Sequence, residues 1–350
     1  MLFRSGTRVK KSVRLADIGA RLGVSTVTVS KALSGQKGVS DTLRKQIEEL
    51  ADSMGYVPPS KEPREAKNRS YTLGVLVGER YIDKYDSFYL QMYKQITGRA
   101  IARECFAVME PVSMETEKNN ILPKLVADNR ADGIIVMGRL SWEYLDFLNE
   151  NCSLPMIYLD FCDNKKEADA VISDSYYGAY RLTNYLFEMG HTRIGYVGTV
   201  LATGSITDRY MGYLRAMMEH GSEVRPEWII EDREREHGSI DPENYIRLPG
   251  QLPTAFVCNC DIAASFLIKA LEVRGLRVPQ DVSVVGYDNF IYPGICDVEI
   301  TTYEVDIKEM ARRAVHTLIK KIAGEEYRHR VYIVEGQLVI KDSVAALKKS

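Results

Sequence analysis

The spacing of apolar residues near the start of the chain predicts a pair of short helices. In the first, Leu15, Ile18 and Leu22 lie on one face, and Gly23 ends the helix. Ser25 is a good N-cap for a second helix that runs from residue 26 to about residue 33. A glycine turn between two helices of this length is typical of a helix-turn-helix unit.

A third helix is predicted from Ser40 to about Met54, because Leu43, Ile47 and Leu50 recur on one face. Such a helix would brace the first two. The second helix carries several hydroxyl side chains and no acidic one, which favours contact with a DNA duplex. A three-helix packing module without a ligand is the alternative interpretation of this pattern.

From Tyr71 onward, short apolar runs alternate with amphipathic stretches. Strands are predicted at 73–77, 133–137, 156–159, 193–197, 255–258 and 282–286. Helices are predicted at 89–103, 117–128, 177–189, 209–220, 262–274 and 307–322. This alternation implies parallel sheets covered by helices, and it is too long for one sheet. We therefore expect an N-terminal all-α head and an α/β core of two Rossmann-like lobes.

Charge is distributed unevenly between these two parts. The chain carries a formal net charge of −2, yet residues 1–70 hold 14 Lys and Arg against 7 Asp and Glu. A basic head on an acidic body indicates a polyanion as the partner of the head. The 6 cysteines form no CxxC pair, so we expect reduced thiols and no metal site. The sequence shows neither a long apolar run nor a signal peptide, which predicts a cytoplasmic protein without membrane contact.

The run from residue 15 to residue 35 (LADIGARLGVSTVTVSKALSG) resembles the DNA-binding head of the lactose repressor (LacI) family. The resemblance implies a sequence-specific transcription regulator that acts as a repressor. It also implies that Thr26, Val27 and Lys31 read base edges in the major groove, where an apolar Val27 suits a thymine methyl group. The hydroxyl groups implied to contact the DNA backbone are those of Ser25, Thr28, Ser30, Ser34 and Ser40.

Residues 58–70, rich in Pro, Lys, Arg and Glu, are the predicted linker between a head of residues 1–57 and the core. In the resembled family this stretch forms a hinge helix whose leucine enters the minor groove and kinks the duplex. No leucine occurs here between Met54 and Leu73. We therefore expect a salt-sensitive contact through Arg64, Lys67 and Arg69, with a flexible tether as the alternative.

The core resembles the periplasmic-binding-protein-like domain of the same family, most clearly at residues 278–289 (VPQDVSVVGYDN). By this resemblance the core, residues 71–350, has an N-lobe of about 71–172 and 304–326. Its C-lobe is expected to comprise about 173–303 and 327–350. A small effector would lie between the lobes, and a homodimer would present two heads to a pseudo-palindromic operator.

Candidate effector-binding residues follow from the rule that ligands bind at the carboxyl ends of parallel strands. That rule selects Asp160, Asp261 and Asp288, with helix capping as the alternative role of Asp261. The resemblance adds Arg209, expected to open a helix. Such groups suit a sugar or a related metabolite. In the family an Asn usually precedes the second of these carboxylates, whereas this chain has Cys260, which removes an amide contact.

Aromatic side chains are expected to cover the apolar faces of the effector. The resemblance selects Phe88 and Tyr89 at the start of the first core helix, with core packing as the alternative role. Phe161 is predicted to add stacking, as are Tyr158 and Phe290.

Two other classes of protein fit parts of the pattern. A secreted binding protein would have two lobes, but the helix-turn-helix head opposes it. An α/β enzyme is disfavoured because the sequence has no GxSxG elbow, no P-loop and no HExxH. We therefore expect no catalytic residue and no cofactor, with operator DNA and a small carbohydrate as the partners.

Overall fold

The computed structural model of the chain describes residues 15–33, 38–54, 56, 70–82, 88–163, 168–235, 238, 241–290, 296–328 and 330–347. These residues form a helical head and an α/β core with two parallel sheets. The predicted fold class is therefore confirmed.

The head consists of helices whose apolar faces meet in a small core. The helices are α1 (Leu15–Leu22), α2 (Thr26–Leu33) and α3 (Asp41–Ser53). The buried side chains that they share are Ile18, Val29, Ala32, Ile47 and Ala51. All three helices lie where the apolar spacing predicts them.

The turn between α1 and α2 depends on two glycines. A Cβ atom at position 19 would lie 2.7 Å from the Val24 carbonyl oxygen, so Gly19 permits the close crossing of the two helices. Gly23 has a φ of +66°, which is the left-handed conformation that ends a helix. These two positions explain why the helix-turn-helix could be predicted from local sequence.

The core alternates strands and helices along the chain. The strands are β1 (Thr72–Gly78), β2 (Phe106–Val112), β3 (Gly133–Met137), β4 (Met156–Leu159), β5 (Ala170–Ser173), β6 (Ile194–Val197), β7 (Ile229–Ile230), β8 (Ala255–Cys258), β9 (Ser283–Val285), β10 (Thr302–Glu304), β11 (Val331–Val334) and β12 (Gln337–Val339). The helices are α4 (Phe88–Ile101), α5 (Met114–Lys118), α6 (Lys124–Ala127), α7 (Trp142–Asn151), α8 (Ser175–Glu188), α9 (Gly204–Glu219), α10 (Pro242–Tyr245), α11 (Asp261–Val273) and α12 (Ile307–Ala323).

The N-lobe sheet has the strand order β11-β5-β4-β3-β1-β2, and all of its neighbouring strands are parallel. Helix α12 packs against α4 and against β3, β4 and β5. The central strands β1 and β3 are apolar and almost entirely buried, as expected for a parallel sheet covered on both faces.

The C-lobe sheet has the order β7-β6-β8-β9 and is also parallel. Its helices α8 and α9 cross closely, because a Cβ atom at Gly212 would lie 2.1 Å from the Tyr176 carbonyl oxygen. This crossing fixes the position of α9, which begins at the carboxyl end of β6.

Strand β11 departs from the expected division of the core. Residues 327–350 were expected in the C-lobe, but β11 pairs with β5 in the N-lobe sheet. The pairing satisfies backbone groups along β5 that would otherwise form an open edge. Only the chain after β11 returns to the C-lobe, where Ser343 Oγ donates a hydrogen bond to the Val284 carbonyl oxygen.

Three segments of the described chain pass between the lobes: β5 to α8, β10 to α12, and β11 to β12. Hydrogen bonds join these segments. The Asp174 N–H donates to the Val334 carbonyl oxygen at 3.0 Å. The Gly336 N–H donates to the Tyr303 hydroxyl oxygen, also at 3.0 Å. The crossings therefore form one connected unit.

Two predicted helices differ from the observed ones. The helix expected at 117–128 is divided into α5 and α6, because Pro123 stands directly before α6 and Asn120 has a φ of +50°. Arg209 does not open its helix, since Thr203 caps α9 by accepting a hydrogen bond from Ile206 N–H. Arg209 instead lies in the second turn of α9.

Candidate DNA-reading surface and effector cleft

Helix α2 presents the predicted base-reading residues on its outer face. Thr26 and Lys31 are exposed and Val27 is half-buried, whereas Val29 and Ala32 point into the head core. Helix α2 has no acidic residue in its first turn, so nothing on that turn repels a phosphate. This arrangement suits insertion into a major groove.

Among the hydroxyl residues predicted to contact the DNA backbone, Thr28 and Ser30 are half-buried, and two others cap helices. Ser25 Oγ accepts a hydrogen bond from Thr28 N–H at 3.1 Å, which confirms it as the N-cap of α2. Ser40 Oγ accepts from Leu43 N–H and caps α3 in the same way. Ser34 and the linker arginines and lysine lie outside the described residues.

Arg44 connects α3 to the end of α2. Its Nη1 donates to the carbonyl oxygens of Ala32 at 2.6 Å and Lys31 at 3.3 Å. A cation at these carbonyl groups is stabilising, because the C-terminal end of a helix carries a partial negative charge. The contact holds the end of α2 that carries Lys31 against the rest of the head.

The effector residues proposed from the strand-end rule lie after the carboxyl ends of parallel strands, at the boundary between the lobes. Asp160 directly follows β4, and Asp288 lies three residues after the end of β9. Asp160, Asp288 and Leu201, in the loop before α9, have φ values of +69°, +104° and +73°. Strained backbone at such positions is typical of functional sites.

Arg209 lies at the centre of the predicted effector residues. Its guanidinium group is 3.7 Å from the centre of the Tyr287 ring, and its Nη2 is 3.4 Å from Asp288 Oδ1. A second donor, Nη1, binds the Asn259 carbonyl oxygen. Burial disfavours the charged form of Arg209. This effect is outweighed by electrostatic interactions with Asp288, Tyr287 and Asp160, so the pKa of Arg209 is raised. Its Nε is buried without a hydrogen-bond partner.

The structure brings Asp160 close enough to Arg209 and Asp288 for their charges to interact. Tyr89 donates its hydroxyl hydrogen to Asp160 Oδ2 at 2.8 Å. Burial raises the pKa of Asp160, whereas Arg209 and Tyr89 lower it. Burial also raises the pKa of Asp288 to about 7, with Arg209 opposing and Asp160 adding to the shift. The cleft therefore joins one carboxylate of the N-lobe to an arginine–carboxylate pair of the C-lobe.

The predicted aromatic residues divide between the cleft and the core. Tyr89 is half-buried, packs against Phe88 with ring centres 5.5 Å apart, and lies 4.9 Å from the ring of Tyr81. Phe161 and Tyr158 stack on each other and are almost fully buried, which indicates a packing role. Phe290 is half-buried.

Asp261 is buried and binds the loop just after Asp288. Its Oδ2 accepts a hydrogen bond from the Phe290 N–H at 3.0 Å. Its Oδ1 has no partner and occupies the position that a side chain at Gly286 would need, 2.0 Å from the ideal Cβ. Burial and Asp288 raise its pKa well above the ordinary value. Asp261 thus holds the loop that carries Asp288, and it is not the helix cap, which is Cys260.

A buried polar cluster on the C-lobe side was not predicted. Arg233 binds both carboxylate oxygens of Asp232, and its Nη2 also donates to Asn259 Oδ1 at 3.0 Å and to Cys260 Sγ at 3.4 Å. Asp232 is fully buried, and although burial opposes its charge, Arg233 and Asn259 lower its pKa. Asn259 also donates to Asp232. The charged, irregular sequence around residue 233 gave no strand or helix signal that could have placed these groups.

Tyr81 and Arg139 were also missed on the N-lobe side. Tyr81 donates its hydroxyl hydrogen to the Arg139 carbonyl oxygen at 2.8 Å. Arg139 Nη2 donates to the Ala202 carbonyl oxygen of the C-lobe at 2.7 Å. Since Arg139 lies two residues after β3, the strand-end rule would have selected it.

Two features are absent from the described residues. No helix among them is long and apolar enough to cross a membrane. No group of three or more His, Cys, Asp or Glu side chains in the described part could hold a metal ion.

Comparison with known proteins matches both parts of the chain. The family model for bacterial regulatory proteins of the lacI family matches residues 14–59, and the model for a periplasmic binding protein-like domain matches residues 183–344. The chain therefore joins a LacI-family helix-turn-helix domain to a periplasmic-binding-protein-like domain. Similar proteins include the HTH-type transcriptional repressor PurR of Aliivibrio salmonicida, 28% identical over 95% of this chain and 99% of that protein. The PurR repressor of Pasteurella multocida is 27% identical over 94% of this chain and 98% of its own length.

Solved structures of LacI-family regulators share the fold. The transcriptional regulator CelR in complex with cellobiose matches with a TM-score of 0.66, 20% identity, and coverage of 95% of this chain and 99% of that one. The lac repressor dimer bound to operator and the anti-inducer ONPF matches with a TM-score of 0.63, 21% identity, and coverage of 96% and 100%. The match of the head and the similarity to PurR repressors identify the chain as a DNA-binding transcriptional repressor, and its core is of the periplasmic-binding-protein-like type.

Proposed function

We propose that this LacI-family repressor is a cytoplasmic homodimer whose affinity for a pseudo-palindromic operator is controlled by a carbohydrate or related polar metabolite bound between the lobes. The observation that carries the proposal is the convergence of Asp160 from the N-lobe with Arg209 and Asp288 from the C-lobe. A ligand bound by all three favours one separation of the lobes over others, because its partners lie on opposite sides.

The chemistry of the cleft supports a ligand rich in hydroxyl or N–H groups. Asp160 and Asp288 accept hydrogen bonds, and Arg209 donates them from a rigid plane. The rings of Tyr81 and Tyr89 offer apolar faces beside these groups. Sugars and nucleosides combine polar edges with apolar faces in this way.

The DNA side of the proposal rests on α2. Thr26 and Lys31 extend from its exposed face, and Val27 offers an apolar contact to a thymine methyl group. The proposed mechanism is that closure of the lobes on a ligand changes the spacing of the two heads in the dimer. Coupling between such sites is typically about 1–3 kcal/mol.

The test begins with an operator selected by the full-length protein from random double-stranded DNA. Operator affinity is then measured by fluorescence anisotropy with and without each sugar and nucleoside of a panel. We expect at least one compound to shift the affinity roughly fivefold or more, in the direction that defines it as inducer or corepressor. Arg209→Ala should keep basal operator binding and lose the response.

Arg215→Ala provides the matched control, because Arg215 lies on the same helix α9 with an exposed side chain. It should respond like the wild type. A ligand that raises the melting temperature of the protein but leaves operator affinity unchanged would contradict the proposed coupling. A full response in Arg209→Ala would contradict the proposed site.

A further inference from the structure

Arg139 is a cation at the boundary between the lobes, and it has no carboxylate partner among the described residues. Its Nη2 reaches the neutral carbonyl oxygen of Ala202 at 2.7 Å, and its guanidinium carbon lies 5.6 Å from the centre of the Trp142 ring. No Asp or Glu of the described residues is within ion-pair distance of it. Its Nε is buried and has no hydrogen-bond partner. A partly buried arginine with unused donors is costly unless an anion meets it.

The neighbouring arginines differ from Arg139 in this respect. Arg80 pairs with Glu117, Arg209 with Asp288, and Arg233 with Asp232. Each of these cations is neutralised within its own lobe. Within the described part of the chain, Arg139 is the member of this group that no carboxylate neutralises.

The backbone of Arg139 is held firmly beside the aromatic part of the cleft. Its carbonyl oxygen accepts hydrogen bonds from Arg80 Nη2 at 3.0 Å and from the Tyr81 hydroxyl at 2.8 Å. A Cβ atom on the preceding Gly138 would lie 3.1 Å from the rings of both Tyr81 and Tyr89. Since Tyr89 binds Asp160, a ligand that contacts Asp160 lies close to Arg139 as well.

The opposite wall at this point adds positive potential. Ala202 directly precedes Thr203, the N-cap of the 16-residue helix α9. The first turn of α9 contains no acidic residue, and a Cβ atom on Gly204 would meet nothing within 4 Å. The N-terminal end of a long helix carries a partial positive charge, which reinforces the cation on the facing lobe.

We propose that the effector carries an anionic group, a carboxylate or a phosphate, and that Arg139 binds this group from the N-lobe. The inference rests on the proposed function and specifies its ligand: an acidic or phosphorylated sugar or nucleoside. Its polar ring contacts Asp160, Arg209 and Asp288. Its anionic end takes the unused donors of Arg139, whose planar fork matches carboxylate and phosphate oxygens.

The experiment compares ligands that differ only in the anionic group. Full-length protein is titrated with glucose, glucose 6-phosphate and glucuronate, with adenosine and AMP, and with inorganic phosphate at constant ionic strength. Binding is measured by the melting temperature and by calorimetry. We expect at least one anionic compound to bind the wild type while its neutral parent does not. Comparison of the phosphate compounds with glucuronate shows whether the protein recognises a phosphate or a carboxylate.

Variants separate recognition from folding. Arg139→Gln should reduce the affinity for the anionic compound roughly tenfold to hundredfold. Arg130→Gln removes the same charge from an exposed position of the N-lobe and should leave binding unchanged. If Arg139→Gln fails to fold, Arg139→Lys takes its place, and it should retain the charge preference with weaker binding.

Three outcomes would overturn the inference: neutral parents bind as tightly as their anionic derivatives, no anion of the panel (inorganic phosphate included) affects the wild type, or the variants at position 139 bind the anion as the wild type does. Operator binding measured on the same samples keeps the proposed function separate. If a neutral sugar shifts operator affinity, the proposed function is supported, but the inference that the effector carries an anionic group is contradicted.

Discussion

The guanidinium group of Arg209 lies 3.7 Å from the centre of the Tyr287 ring, and this cation–π contact holds a buried cation beside Asp288. The ring is itself positioned, because the Tyr287 hydroxyl donates to the Asp174 carbonyl oxygen at 3.1 Å. Arg209 is therefore held by the same segment through which the chain passes from β5 to α8. A movement of Arg209 would therefore displace Tyr287, and Tyr287 in turn contacts the segment that connects the lobes.

Arg209→Lys should abolish the ligand response although it keeps the charge. An ammonium group has no planar face to meet Tyr287, and it has no second nitrogen to bind the Asn259 carbonyl oxygen while the first faces Asp288. We expect ligand affinity to fall at least roughly tenfold, as measured by calorimetry. Arg215→Lys on the exposed part of α9 is the control, and equal losses in both variants would argue against this role.

The raised pKa of Asp288 makes the stability of the protein depend on pH. Its pKa of about 7 in the folded state lies above the ordinary value of 3.8, so between these values the folded protein holds a proton that the unfolded chain has lost. Its contribution to stability is therefore present at low pH and is lost as the pH rises toward 7. The charged or titratable groups that act on it include Arg209, Asp160 and Arg233, and it also interacts with the buried Asp261.

Asp288→Asn removes this contribution. The free energy of unfolding of the variant should rise relative to the wild type as the pH increases from 5 to 7, by at most about 1.4 kcal/mol per pH unit. Urea unfolding at a series of pH values measures the difference. A constant difference across this range would contradict the raised pKa, whatever its absolute size.

Lys31→Ala tests the DNA-reading surface. Lys31 is exposed on α2, so its loss should weaken binding to the selected operator roughly tenfold and affect random DNA much less. Lys45→Ala removes an exposed lysine from α3 and serves as the control. If Lys31→Ala reduces both affinities equally, the side chain acts on the backbone and does not read bases.

Gly212→Ala tests the crossing of α8 and α9. The new Cβ atom would lie 2.1 Å from a backbone oxygen of Tyr176, so the helices must separate. We expect a loss of about 1–3 kcal/mol or more in the free energy of unfolding, together with weaker ligand binding because α9 carries Arg209. Gly204→Ala lies on the same helix with no atom nearby and should cost far less. Similar losses in the two variants would contradict the close crossing.

The head could be predicted in detail because its signals are local. Gly23 must adopt a left-handed conformation and Ser25 must cap α2, and both requirements are visible within a few residues. The strands β3, β4 and β8 were predicted with their observed bounds, since buried parallel strands are continuous apolar runs.

The missed elements lack such a signal. Strand β2 is half exposed and contains Pro111, and β11 has exposed residues at Val331 and Ile333. These are edge strands, whose place depends on a partner far away in the sequence. The cleft shows the same division: Asp160 and Asp288 follow recognisable strands, whereas Asn259 and Cys260 become neighbours of Arg233 only through the sheet order.

The hydrogen bonds between the three crossing segments restrict how the effector can act. Hydrogen bonds join the segments, one between Asp174 and Val334 and one between Gly336 and Tyr303. A twist in one segment must therefore be accompanied by a twist in the other two. We expect the lobes to rotate about one axis and not to slide. Compounds of different shape would then differ only in the angle at which they halt that rotation, so activating and repressing ligands would be two positions along a single path.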